Sequence, residues 1–468
     1  MTTGKIHILI KRDTNQVLSM KKILFKKIIV LTVVINLFFI LYPYQSIALD
    51  VKRKVLDNGL ILLIAERHNL PVVKVSLGMN AGNLVEPAEK AGLSSLVASL
   101  LTEGTTRRTA EQISESIEFV GGDIGASGGD DYNSASLSVL KKDIDLGFDL
   151  LSDVILNPVF PEDKFNKKKE RVKGSLKAQE ENPGFLASRE FKKALFGSHP
   201  YGRLISGTAE SIDNITREDL VEFHATHYVP ENSVMSVVGD VVPEEVEKLL
   251  EKYFSKWGAK KPAGLSLPQI EAVRKRETIK IDKDLTQATI RLGHIGVSRD
   301  NPDYYAISVM NYILGGGGFA SRLMQNIREE KGLVYDIQSY FSADRLGGSF
   351  QVALQTKNES ANTAIEEILK EIKKIRNVPV TDQELSDAQA FLTGSFPMRI
   401  ETSSRIANFL VAVEFYKLGV RYIDDYPAYI NKVSREDVQR VANTYLDPEK
   451  FILVVVANQD KTGLNDQF

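Results

Sequence analysis

REDLVEFHATHYVPENSVMSVV (217–238) recurs as REDVQRVANTYLDPEKFILVVV (435–456). The two segments start 218 residues apart (217 and 435), and Pro230 and Pro448 keep that same offset. Each copy opens with a charged, helix-periodic segment. Proline then stops the helix, and the short apolar run that follows reads as a buried strand. A second pair has the same strand, helix and loop order: SASLSVLKKDIDLGFDLLSDVILNPVFPEDKF (134–165) and SFQVALQTKNESANTAIEEILKEIKKIRNVPVTDQEL (349–385). A repeat this long marks a duplicated domain, not a short-period solenoid. The expected fold is therefore α+β, in two homologous halves, each an antiparallel sheet with helices on one face.

Outward from the repeat, residues 50–257 form the first half and 276–468 the second. GAKKPAGLSLPQIEAVRK (258–275) carries Pro, Gly and Lys with little periodicity and reads as the linker. In the first half, KVLDNGLILLIAER (54–67) predicts two strands about the Asn58–Gly59 turn. Leu93, Leu96, Val97, Leu100 and Leu101 recur at helical spacing until Gly104. Thr109 with Gln112 resembles a capping box. Residues 1–49 are an extension plus a signal peptide: Lys21, Lys22, Lys26 and Lys27, an apolar run Ile28–Tyr42, then Ser46-Ile47-Ala48. That predicts export, with an uncleaved anchor as the alternative and Met20 as a second candidate start.

With 468 residues, 43% hydrophobic and 26% charged, the composition suits a globular protein of more than one domain. The net charge of −2 gives no basic surface for nucleic acid. The absence of cysteine removes disulfides, thiol nucleophiles and Cys-type zinc sites.

One more stretch draws attention: LGGGGFASRLMQNIREEKGLVY (314–335). Gly315 to Gly318 free the backbone, Leu323, Met324 and Ile327 form one helix face, and Gly332 ends the helix. Arg328 offers a fork of donors and Tyr335 a neutral hydroxyl. On their own, these two residues read as a solvated cation and a packing aromatic. Two other patterns carry less. Gly125-Ala126-Ser127-Gly128-Gly129 fits G-x-S-x-G but is followed by more strand where a nucleophile elbow needs a helix. His224 and His227 lie one turn apart with no third convergent group, and are expected to cap their helix C-terminus.

LDNG (56–59), AGNLVEPAEKAGL (81–93), EGT (103–105), HPYGRLISGTAESIDNITREDL (199–220), YVPEN (228–232), VVGDV (237–241) and SRLMQNIREEKGLVY (321–335) together resemble the pitrilysin/insulinase-type metallopeptidases, in the bacterial and mitochondrial-processing-peptidase branch. The resemblance spans about 51–460. It implies two homologous halves facing each other across a chamber, and a zinc site on an H-x-x-E-H helix completed by a distal Glu. Here those positions are Ser95, Ala98 and Ser99, and the distal ligand falls near Ser175, with Glu170 and Glu180 close in sequence. Serine is a poor zinc ligand beside imidazole or carboxylate, and alanine cannot take a proton. The expectation is no metal in this chain. Arg328 and Tyr335 match the family's substrate-gripping pair in type and spacing, with Gly316 and Gly317 as further candidates for substrate contact. The resemblance implies a non-catalytic subunit that supplies this pair to a zinc-bearing partner of the same family, in a heterodimer acting on peptides. A structural scaffold and a peptide-binding homodimer are the alternatives.

Overall fold

The computed structural model describes residues 49–258, 269–271, 273, 275–465 and 468. The signal segment and most of the linker lie outside the described residues. Residues Asp50–Phe468 form one compact unit.

The first sheet contains Val51–Val55 (β1), Ile61–Glu66 (β2), Val72–Met79 (β3), Asp123–Ser127 (β4), Asn133–Leu140 (β5) and Ser233–Gly239 (β6), in the order β1-β2-β6-β3-β5-β4. The second contains Glu277–Asp282 (β7), Gln287–Ile295 (β8), Val334–Phe341 (β9), Ser349–Lys357 (β10) and Ile452–Ala457 (β11), in the order β7-β11-β8-β10-β9. Apart from β1, the two orders match strand for strand, as the duplication requires. The match reaches the helix caps: Thr216 and Ser434 each close a capping box, with Asp219 and Asp437 at the third position.

Each sheet is antiparallel except for one parallel pair, β2 with β6 and β7 with β11. The repeated strand arrives late in its half, after helices that cross over the sheet. It enters the middle of the sheet in the direction that crossover sets.

The two faces of each sheet are covered differently. Helices of the same half pack on one face. In the first half, Leu96, Phe148, Leu220, Phe223 and Leu250 join Met235 and Val237 of β6 in one core. On the other face the halves exchange helices. Pro183–Phe196 of the first half lies on β8 and β11, where Leu186, Phe191 and Leu195 meet Ile452, Val454 and Val456. Ser403–Phe415 of the second half lies on β3 and β6 in return. Helices on one face alone were expected. The exchange explains why β6 and β11 are buried along their whole length. Arg53 pairs in bidentate fashion with Glu414 (2.8 and 2.9 Å), adding a polar tie between halves.

Candidate functional site

The helix Leu93–Leu100 carries Ser95, Ala98 and Ser99. Its apolar residues face the first core, and its N-terminus is fixed by buried polar groups. The Glu86 carboxyl accepts from the Gly92 and Ser94 amides (3.0 and 2.9 Å). Ser94 Oγ donates to Ala81 O (2.6 Å) and Asn133 Oδ1 (2.9 Å), and Asn133 Nδ2 donates back to Ser94 O (3.1 Å) and to Tyr228 Oη (3.0 Å). Burial pushes the Glu86 carboxyl up to about 8, against the pull of those two amides and of Arg203.

On this scaffold Ser95 and Ser99 are half-buried, and Ala98 is 2% exposed. Ser99 Oγ donates to the Leu96 carbonyl one turn back (3.1 Å). The turn between β4 and β5 presses on Ser95: a Cβ built on Gly128 would lie 2.8 Å from Ser95 Cα. Ser175 is exposed on Glu162–Gln179. Glu170 pairs with Lys173 (2.8 Å) and Glu180 with Arg189. Among the described residues no group of three or more His, Asp or Glu is placed to hold a metal ion. The donor set therefore does not fit zinc: two hydroxyls and a methyl stand where two imidazoles and a carboxylate would be needed, and backbone leans on one of them. Gly128→Val should cost about 1–3 kcal/mol, because Ser95 Cα is backbone and cannot yield. Thermal unfolding of the variant checks this.

His224 does not cap its own helix. Its Nε2 lies 2.8 Å from the Ile155 carbonyl and its ring stacks on Tyr228, tying the Arg217–His227 helix to its neighbour. His227 packs against Phe223.

In the second half, Tyr312–Gly316 and Met324–Glu330 are wide π-turns. Leu323, Met324 and Ile327 are buried, as their spacing predicts. The glycines are spent largely on packing. A Cβ on Gly316 would meet Asn311 Nδ2 at 2.7 Å, and one on Gly317 would meet the Tyr312 ring at 2.9 Å. Gly318 has open space and a left-handed φ of +57°, and it turns Phe319 outward. The Arg328 guanidinium then sits 4.5 Å from the Phe319 ring centroid, with Glu329 3.5 Å away. Gly332, at φ +62°, lets the chain reverse into β9, where Tyr335 is 82% exposed.

Tyr335 borders a cleft of about 240 Å³ that includes Arg291, Asp336, Tyr340 and Gln355 from the second sheet and Gly184 from the first half. The Arg291 guanidinium donates to Gln351 Oε1 (2.9 Å), and burial lowers its pKa. Sequence reading missed Arg291 and Tyr340. The signal was present: the polar Gln287, Thr289 and Arg291 alternate in sequence with the apolar Ala288, Ile290 and Leu292 of β8.

Two homologous α+β halves of matching strand order define the class of fold. The chain belongs to the peptidase M16 family. The model for "Insulinase (Peptidase family M16)" matches residues 62–209, and that for "Peptidase M16 inactive domain" matches 214–392. The crystal structure of a peptidase M16 inactive domain from Pseudomonas fluorescens superposes with a TM-score of 0.82 at 30% identity, over 87% of this chain and 98% of that one. A protease from Helicobacter pylori shares the fold, with a TM-score of 0.81 at 21% identity, over 87% of this chain and 99% of that one. Among curated relatives, the uncharacterized zinc protease YmxG of Bacillus subtilis is 27% identical over 76% of this chain and 85% of its own length. An uncharacterized zinc protease of Streptomyces coelicolor is 27% identical over 88% of this chain and 90% of its own length.

Proposed function

We propose that this chain is the non-catalytic subunit of an exported two-chain zinc peptidase. It grips substrate backbone with Arg328 and Tyr335 while a same-family partner holds the zinc. One observation supports the reading: Ser95, Ala98 and Ser99 offer no imidazole or carboxylate for zinc, while Arg328 is half-buried beside Phe319 and Tyr335 is 82% exposed. Arg328 is held by Phe319 and Glu329 yet retains free donors for a peptide carbonyl. Tyr335 would offer a neutral hydroxyl donor to the substrate's carbonyl oxygen, where charge gathers during hydrolysis.

The test is reconstitution with a family member that carries H-x-x-E-H. Arg328→Ala in this chain should lower kcat/KM of the complex for peptide hydrolysis by about a hundredfold, the usual loss for one transition-state donor. Tyr335→Phe should lower kcat with little change in KM. Unchanged hydrolysis in the Arg328 variant would rule out the substrate role.

A further inference from the structure

We propose that a second cleft, lined by residues of the second half, is a carboxylate-binding subsite for peptides. It lies between the loop that precedes the helix Tyr304–Asn311, the β9–β10 connection and the end of the helix Ser403–Phe415. Its volume is about 450 Å³. Three cations, Arg299, Arg345 and Lys417, line it beside the aromatic rings of Tyr305 and Phe415.

None of the three cations has an ion-pair partner among the described residues. Arg299 is held in place by aromatics: its guanidinium is 3.7 Å from the Tyr304 ring centroid and donates to Tyr422 Oη (2.8 Å). Arg345 lies 5.5 Å from the Phe415 centroid and donates to Asn80 Oδ1 (3.1 Å). Lys417 is exposed and adopts a left-handed φ of +57°, a cost that a non-glycine residue accepts rarely.

Of the nearby acids only Asp300 lines the cleft, against three cations; Asp303, Asp131 and Asp344 lie outside its lining. Asp300 accepts from Ser298 Oγ (2.5 Å) and Asp303 pairs with Arg440 (2.8 Å). Asp131 accepts from Tyr201, from Tyr416 Oη (2.8 Å) and from the Arg345 amide (3.1 Å). Elsewhere on this slightly acidic molecule, arginines such as Arg53, Arg108 and Arg322 are paired with carboxylates. Pre-positioned guanidinium groups over aromatic faces suit a planar carboxylate carried by an apolar or peptide body. The proposal rests on the chain being a peptide binder, but it uses none of the residues near Arg328.

Isothermal titration of the mature chain with three synthetic peptides tests it. The first ends in phenylalanine with a free α-carboxylate. The second is its C-terminal amide, and the third is the amide with one internal glutamate. The free acid should bind about tenfold tighter than the plain amide, the value of one or two charge-assisted hydrogen bonds. Recovery by the glutamate peptide identifies a side-chain carboxylate as a sufficient source; failure to recover identifies the chain terminus. In Lys417→Gln, which removes no side-chain hydrogen bond or ion pair among the described residues, the gap should shrink, and in Arg345→Gln it should shrink again. Equal binding of acid and amide, a gap unchanged in both variants, or no binding of any peptide at millimolar concentration overturns the proposal. Arg328→Ala should leave the gap intact, so loss of the grip and loss of this subsite read out separately.

Discussion

Replacing Phe191 with alanine should destabilise the protein by about 3–5 kcal/mol, and the damage should appear in the half that does not contain the substitution. Phe191 is 1% exposed and belongs to the first-half helix Pro183–Phe196, yet its apolar neighbours include Val454 and Val456 of β11. Truncation leaves a cavity against the second sheet, and strands already buried on both faces have no slack with which to fill it. Hydrogen exchange should show faster exchange of β8 and β11 amides. Leu410→Ala, at a fully buried position of the reciprocal helix Ser403–Phe415, should show the mirror result in β3 and β6. Because each half completes the other's sheet, both variants should still unfold in one cooperative transition. Loss of protection confined to the substituted half would show that the exchanged helices contribute nothing across the seam.

The second large effect is on pH dependence. Glu86 titrates at about 8 in the folded chain against about 4.5 when unfolded. Between those values the folded state keeps a proton that the unfolded state releases. Stability is therefore full below about pH 4.5 and falls as pH rises toward 8, by a few kcal/mol in all. Asp344, raised to about 7 first by burial and then by Asp131 and Asp130, acts in the same direction. Thermal unfolding from pH 5 to 8 should show a declining Tm. Glu86→Gln should lower Tm throughout, because a carboxamide cannot accept from both the Gly92 and the Ser94 amides, and it should flatten the slope to the part due to Asp344. A Tm that rises over this range would mean that Glu86 is ionised and that the helix N-terminus and Arg203 outweigh its burial.

The architecture was legible because it is written twice. The 218-residue offset repeats a helix, its proline stop and its strand, and period alone separates those elements. The exchange of helices was not legible. Amphipathic spacing in 183–196 says that one face is buried, but which sheet buries it depends on contacts distant in sequence. The parallel pairs were missed for the same reason, since a strand's direction in the sheet is set by its crossover. At the site, residue types sufficed to show that Ser95, Ala98 and Ser99 do not suit zinc. The pressure of Gly128 on Ser95 and the stacking of Arg328 on Phe319 needed coordinates. The wide π-turns around the glycine run also escaped, because their spacing mimics an ordinary helix over so few residues.

The exchanged helices also impose an order of events on synthesis. The apolar face of Pro183–Phe196 emerges from the ribosome long before β11 (Ile452–Ala457), the strand it covers. At about 5–20 residues per second that face waits on the order of tens of seconds for its partner. A nascent chain that contains only the first half is thus an adhesive intermediate, lacking the helix that shields β3 and β6 and presenting one that has nothing to shield. The last strand made, paired parallel to β7 in the second sheet, is the one that finally buries that face.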